Sequence, residues 1–502
     1  MKRFNLTYKL WTFLLVLLVG TTSCDMDSFL DVNQPEDDPV TTTPNFLLPG
    51  VEGMLSISFY QHTLRDSYTT QYRTTLWGTS SFHDKWDYRN PYRIGEWRRH
   101  YFDVGGNVNN LILRAEKDEN YNYVAVGKTI MAYSTMLATD HFGDMPVYEA
   151  FQGVIDPHYD AQEEVYKYIE NLLAEADVAY EKAGTAKDLP MGNGEDLIYG
   201  GDIRKWEGLN KALRAKMHLH LTAIQPDRYA KVLEAVSEAE QVGFEGALYR
   251  YDGSGTWSTS PMGPSKSRPQ WDHVTNDLDT SLPTTFFMSK VKSASFEDPR
   301  LAKLMTAAAN AGQGGVENFN GIIVSEGLGT ASANDYPTLY GGHWTLDLSS
   351  QPLFLDEELQ FIKAEAAFQT GDKSTAFAAY QEGIRLNLAR LGVETSEVED
   401  LMDSDLVAES VDALTLADIM EQKYVALYLA PESWTDMRRY NFDPTVFRGM
   451  TYPSQVLPEM HGDWFNRLPY DPETEYIYNL PEIERLGAKA EDWITKKMWW
   501  QK

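Results

Sequence analysis

Between Leu353 and Gly392 apolar and polar residues alternate with a helical period, stop once, and resume. Leu355, Leu359, Ile362 and Ala366 fall at i, i+4, i+7 and i+11, one stripe of an amphipathic helix. Gly371-Asp372 breaks the pattern, and Phe377, Tyr380, Ile384 and Leu388 form a second stripe. Gly392 then stands where a left-handed cap ends a helix. Ala364, Ala366, Ala367, Ala376, Ala379 and Gly383 sit along the seam, where bulkier side chains would hold two backbones apart. The stretch predicts a closely packed helical hairpin.

Comparable stripes recur upstream. Helical pattern runs over Leu47 to Arg73, resumes at Trp97 to Tyr101 and Asn107 to Ala115, and is strong from Tyr123 to His141. Val165, Ile169, Leu172, Leu173 and Ala176 give the next helix a core face, with Asp160 as an N-cap. Trp206, Leu209, Ala212, Leu213 and Met217 mark another, followed by Tyr229 to Val242 and, after the hairpin, Leu416 to Leu429. Pairing 122–141 with 161–183, 203–223 with 228–242, and the two halves of 355–391 predicts stacked hairpins. Their small-residue seams and Gly-Asp turn resemble tetratricopeptide repeats. The expected fold is all-α, with a repeat scaffold over 122–243 and 353–430. Residues 76–96 and 245–345 lack this periodicity and are rich in Gly, Ser, Pro and aromatic residues. Long aperiodic segments inside a helical protein are commonly functional.

The N-terminus has a different pattern. A basic start, Met1 to Arg3, precedes the apolar run Leu10 to Val19 and the small residues Gly20-Thr21-Thr22-Ser23. The run has signal-peptide length and is too short to span a bilayer. Cys24, the single cysteine, follows at once, as in a bacterial lipoprotein whose processed N-terminal cysteine carries lipid. Residues 1–23 are therefore expected to be a lipoprotein signal, 24–43 an acidic tether, and 44–502 the folded domain. One cysteine excludes an intrachain disulfide. A formal net charge of -30 opposes phosphate backbones, so nucleic acid is not an expected partner.

Asp140, His141 and Asp144 suggest a metal or acid–base cluster, but they close a helix before Gly143 and Pro146, where turn residues belong. Glu432 and Asp436 would share one helix face, yet Arg438 and Arg439 follow closely, and ion pairing is the simpler account. His218 and His220 diverge on a helix. Neither a cofactor nor a metal is expected. The aromatic loops are better candidates, because Trp and Tyr rings stack on the C–H faces of sugars. One cluster holds Trp77, Phe82, His83, Trp86, Tyr88 and Tyr92; another holds Tyr251, Trp257, Trp271, Tyr336, Tyr340 and Trp344. Trp86, Tyr88, Trp257 and Trp271 are the expected ligand contacts, whereas Trp97 and Tyr101, at helical spacing, are expected in the core.

Several segments resemble one family in order. His141-Phe142-Gly143-Asp144-Met145-Pro146-Val147-Tyr148-Glu149-Ala150 is similar to the FGDxPxxEA segment of SusD/RagB outer-membrane lipoproteins of Bacteroidetes. Glu358 to Ala367 resembles their E-x-x-F-x-x-AEA helix. Gln422-Lys423-Tyr424 with Glu432, Trp434, Asp436, Arg438 and Arg439 resembles their QK…E-x-W-x-D-x-RR signature. Asp298-Pro299-Arg300-Leu301 and Asn466-Arg467-Leu468-Pro469-Tyr470 fit as well. The resemblance implies a SusD-like α-helical fold with tetratricopeptide-like hairpins, and a non-enzymatic lipoprotein facing outward from the outer membrane. It implies capture of an oligomeric nutrient, most often an oligosaccharide and sometimes a peptide, for a SusC-like TonB-dependent transporter. An anchored glycoside hydrolase using Glu432 and Asp436 is the competing enzymatic reading, and a scaffold that binds only a protein partner is a third.

Overall fold

The computed structural model describes residues 42–502 apart from 89–94, 186, 255–257 and 266–277, with backbone alone at 79. Pro44–Lys502 forms one compact unit. Among the described residues no helix is long and apolar enough to cross a membrane.

The first helix, α1 (Pro44–Thr69), is buried on nearly every side, polar Glu52, His62 and Asp66 included. A short strand β1 (Arg73–Thr75) and a loop lead to α2 (Glu96–Arg98), which passes through a π-helical stretch, Arg99–Gly105, into α3 (Gly106–Lys117). The scaffold then runs α4 (Tyr121–Phe142), α5 (Gln162–Lys182), α6 (Ile203–His220) and α7 (Arg228–Val242). Helix α4 packs on α5, and α6 on α7, as the stripes predict. Asp202 caps α6 by accepting from the amides of Arg204 and Lys205, and Gly243 closes α7 in the left-handed region at φ 81°. Asp160 differs from expectation: Ala161 is the N-cap of α5, and the Asp160 carboxylate accepts from the Val147 amide at 2.9 Å.

The loop-rich part contains β2 (Ala247–Tyr249), β3 (Ser281–Pro283), α8 (Thr285–Val291), α9 (Leu301–Leu304) and β4 (Gln351–Phe354). β1 pairs antiparallel with β3, and β2 with β4. These two-stranded ribbons tie the long loops to the helices without altering the all-α class. The predicted hairpin follows as α10 (Asp356–Gln369) and α11 (Lys373–Arg390). Asp372 caps α11 through the Thr375 amide at 3.0 Å. A Cβ at Gly383 would come within 2.9 Å of the Phe361 ring, so glycine is what lets the two helices meet. Next come α12 (Thr395–Met402), α13 (Leu416–Ala426) and α14 (Glu432–Arg439), then α15 (Glu475–Tyr478) and α16 (Leu480–Leu486). The last residues return to the centre: Trp500 is fully buried and its Nε1 donates to Asp140 Oδ1 at 3.1 Å. The helical scaffold with tetratricopeptide-like hairpins is the architecture the periodicity predicted.

Candidate functional site

The acidic and basic residues of the sequence motifs converge beneath the surface. Glu365 on α10 accepts from Arg439 on α14 through both oxygens, at 2.8 and 2.9 Å, and from the Tyr440 hydroxyl at 2.7 Å. Lys423 on α13 lies 2.7 Å from Asp436. Glu432 reaches His220 at 2.9 Å and Lys216 at 3.4 Å, and Lys216 reaches Glu358 at 2.6 Å. Burial alone would depress His220, but Glu432 and Asp140 on either side lift it to about 9. Burial would raise Glu432, but Lys216 and His220 outweigh it and hold the carboxyl far below its ordinary range. Glu432 and Asp436 are thus both paired and buried. Asp140 accepts from Tyr166 at 2.5 Å and lies 3.1 Å from His220, and Asp144 accepts from the Gln162 amide at 3.0 Å. These residues join helices to one another.

Trp86 and Tyr88, expected to meet ligand, are buried instead. Trp86 is 2% exposed and packs against Tyr452, Trp464 and Phe465, with ring centroids 5.5, 5.8 and 6.2 Å away. Tyr88 is 0% exposed, with the Arg65 guanidinium 4.5 Å over its ring and Phe465 at 5.1 Å. Neither offers a ring face to solvent; both pin their loop onto the core. Trp257 and Trp271 lie outside the described residues, as does Cys24. Trp77 is 57% exposed, whereas Tyr251 and Trp344 are buried. Trp97 is buried and Tyr101 partly so, as their helical spacing predicts.

A broad groove of about 550 Å³ opens elsewhere, between α2 with its π-helical extension, the segment 146–157, and the turn around α15. The π stretch sets its wall. One extra residue per turn rotates the side chains, so Phe102 projects outward while His100 and Val104 stay buried. Gly105 is required there, because a Cβ would lie 2.5 Å from the Phe151 ring. Phe151 itself adopts φ 62°, a backbone region that non-glycine residues rarely occupy. Phe102, Ile155 and Tyr478 stand in solvent at the groove, 69, 85 and 66% exposed.

The floor is polar and fixed. Trp97 Nε1 donates to Glu475 Oε1 at 2.9 Å, the Tyr159 hydroxyl donates to Glu475 Oε2, and the Tyr101 hydroxyl donates to the Pro146 carbonyl at 2.8 Å. Burial and the neighbouring Glu475 carboxylate push the Tyr159 hydroxyl far up, so it remains a donor. Arg98, Glu149 and Asp471 supply further polar lining. Arg98 also borders a second depression of about 250 Å³ beside Gly53, Met54, Tyr249 and Tyr251. Aromatic and aliphatic faces around fixed hydrogen-bonding groups suit an uncharged oligomer that presents both C–H faces and hydroxyls. Sequence reasoning missed this groove. Its one local signal was the Phe142-Gly143-Asp144-Met145-Pro146 turn, which starts the wall at Pro146.

Known proteins place the architecture. Solved structures with the same fold include a chitin-binding SusD homolog from Flavobacterium johnsoniae, at 18% identity over 91% of this chain and 98% of that one, with a TM-score of 0.72. A SusD homolog from Bacteroides fragilis matches at 20% identity over 91% and 100%, with a TM-score of 0.67. A SusD/RagB family protein from Bacteroides thetaiotaomicron matches at 19% over 92% and 99%, also at 0.67. A comparison with curated proteins found no match. The profile of the SusD-like family described as "Starch-binding associating with outer membrane" matches residues 36–457, most of the sequence, and the chain belongs to that family.

Proposed function

We propose that this protein captures an oligosaccharide at the outer face of the outer membrane, held there by lipid on Cys24, and passes it to a SusC-like TonB-dependent transporter. The observation that carries the reading is the groove lined by Phe102, Phe151 and Tyr478 over the hydrogen-bonded Trp97–Glu475–Tyr159 floor. Sugar rings stack on the exposed faces, and Arg98, Glu149 and Asp471 select among hydroxyls. Trp257 and Trp271 are proposed as further ligand contacts. Family membership and the chitin-binding relative support a glycan, and the buried pairing of Glu432 and Asp436 supports binding without hydrolysis.

The aliphatic wall of Val154 and Ile155 favours a peptide as the second reading, since branched side chains offer a sugar less than an aromatic plane does. A glycan and peptide array with the soluble chain starting after Cys24, followed by calorimetry, decides between them. Glycan binding that weakens in Phe102→Ala and Tyr478→Ala is the expected result; binding to peptides alone, or to neither class, overturns it. Loss of palmitate labelling in Cys24→Ser, and co-purification of a large barrel with the unmodified protein, test the anchor and the transporter.

A further inference from the structure

His62 and Asp66 lie four residues apart on α1, so both side chains leave one face of the helix. His141, in the last turn of α4, reaches that face. The three residues are 1, 0 and 1% exposed, and one ligand atom from each lies within 4.8 Å of the others. His141 Nδ1 is 2.7 Å from the Leu137 carbonyl, which only accepts, so Nδ1 carries the hydrogen. His141 Nε2 then faces Asp66 Oδ2 at 2.7 Å with its lone pair. Two acceptors in contact need a proton or a metal ion between or beside them.

The neighbouring atoms separate these alternatives. Asp66 Oδ1 and His62 Nδ1 are buried with no hydrogen-bond partner among the described residues. Each such orphaned buried group is destabilising. A proton shared by His141 and Asp66 satisfies that pair and leaves both orphans in place. A cation satisfies the carboxylate and both imidazoles together.

We propose that His62, Asp66 and His141 form a site for one divalent cation of zinc's class, which ties α1 to α4. Two imidazoles and one carboxylate suit zinc better than calcium or magnesium, which take oxygen ligands. The Leu137 carbonyl orients His141 as outer partners orient metal-bound histidines. Arg65 does not add an uncompensated charge there, because it pairs with Glu96 at 2.6 Å. His141 also lines a cavity of about 30 Å³, large enough to admit a water. Asp140 and Asp144, the neighbours of His141 in sequence, take no part; its partners come from 75 and more residues earlier.

The test uses the soluble chain from residue 25, unfolded with chelator and refolded with zinc or without. Expected are one zinc per chain after gel filtration, a zinc-dependent rise in Tm, and visible absorption bands when Co2+ replaces zinc. His62→Gln removes no hydrogen bond; it is expected to fold, to lose the retained zinc, and to lose the zinc-dependent part of Tm. Sub-stoichiometric zinc in the unmodified chain overturns the proposal, as does an unchanged zinc content and Tm response in His62→Gln. Should that variant fail to fold, stoichiometry and the Co2+ spectrum of the unmodified chain decide alone.

Discussion

Around α10, α13 and α14 the charged side chains are buried and matched one to another, whereas around α2 and α15 apolar side chains stand in water. Glu365, Arg439, Lys423 and Asp436 are all 4% exposed or less, and Phe102, Ile155 and Tyr478 are all above 60%. Each region inverts the usual placement of its residue type. The inversions have different causes. Buried charges hold helices in register because any shift strands an ion without a partner. Exposed apolar rings do nothing for the fold and are free to meet something else. Glu365, Lys423, Asp436 and Arg439 are thus structural here, and the proposed recognition surface takes its exposed apolar residues, Phe102, Ile155 and Tyr478, from outside the sequence motifs.

The comparison breaks hardest if the buried pairs are cut. Arg439→Ala strands the Glu365 carboxylate and is expected to destabilise by about 3–5 kcal/mol in urea titration, with ligand affinity of the folded fraction unchanged. Replacing both partners with Leu and Met should recover most of that loss, since it leaves no unpaired charge. Trp86→Ala belongs with the buried side as well. It should cost about 3–5 kcal/mol through the cavity it leaves, again without weakening ligand binding.

Stability against pH sharpens the contrast. Burial holds His100 at about 3, and burial with Arg228 and Lys231 nearby holds His218 at about 3, against an ordinary 6.5. The unfolded chain therefore takes up those protons first, and stability falls as pH drops from 6.5 towards 3. His220, lifted to about 9, behaves oppositely: its contribution is full below 6.5 and is lost as pH rises to 9. That alkaline loss is on the order of 3 kcal/mol. Urea midpoints across this range should peak near pH 6.5, and a flat profile would mean that the histidines are not held as described.

The smallest effect on the fold comes from the groove. Phe102→Ala combined with Tyr478→Ala should change stability by no more than about 0.5 kcal/mol, as exposed side chains do. Ligand affinity should fall about tenfold or more by calorimetry. A marked loss of stability would mean that these rings serve the core after all.

The scaffold was legible because each helix pays for its own burial with a periodic stripe, and Gly371-Asp372 and Gly243 punctuate it in local code. The ribbons were not, since strands of three or four residues carry no usable alternation. Trp86 and Tyr88 misled for a different reason. An aromatic loop reads the same whether its rings face solvent or core, and what buries these two is Phe465, far along the chain. The groove was invisible because its walls come from three distant segments, and the π-helical turn that aims Phe102 outward leaves no periodic trace.

The Trp500–Asp140 contact joins residues 360 positions apart. Gln501 joins the same centre, donating to the Arg438 carbonyl at 3.3 Å and to Asn466 at 2.9 Å. Contacts of such separation form slowly. Deleting Trp499 to Lys502 removes the contacts to Asp140, Arg438 and Asn466, and is expected to slow refolding and lower the urea midpoint.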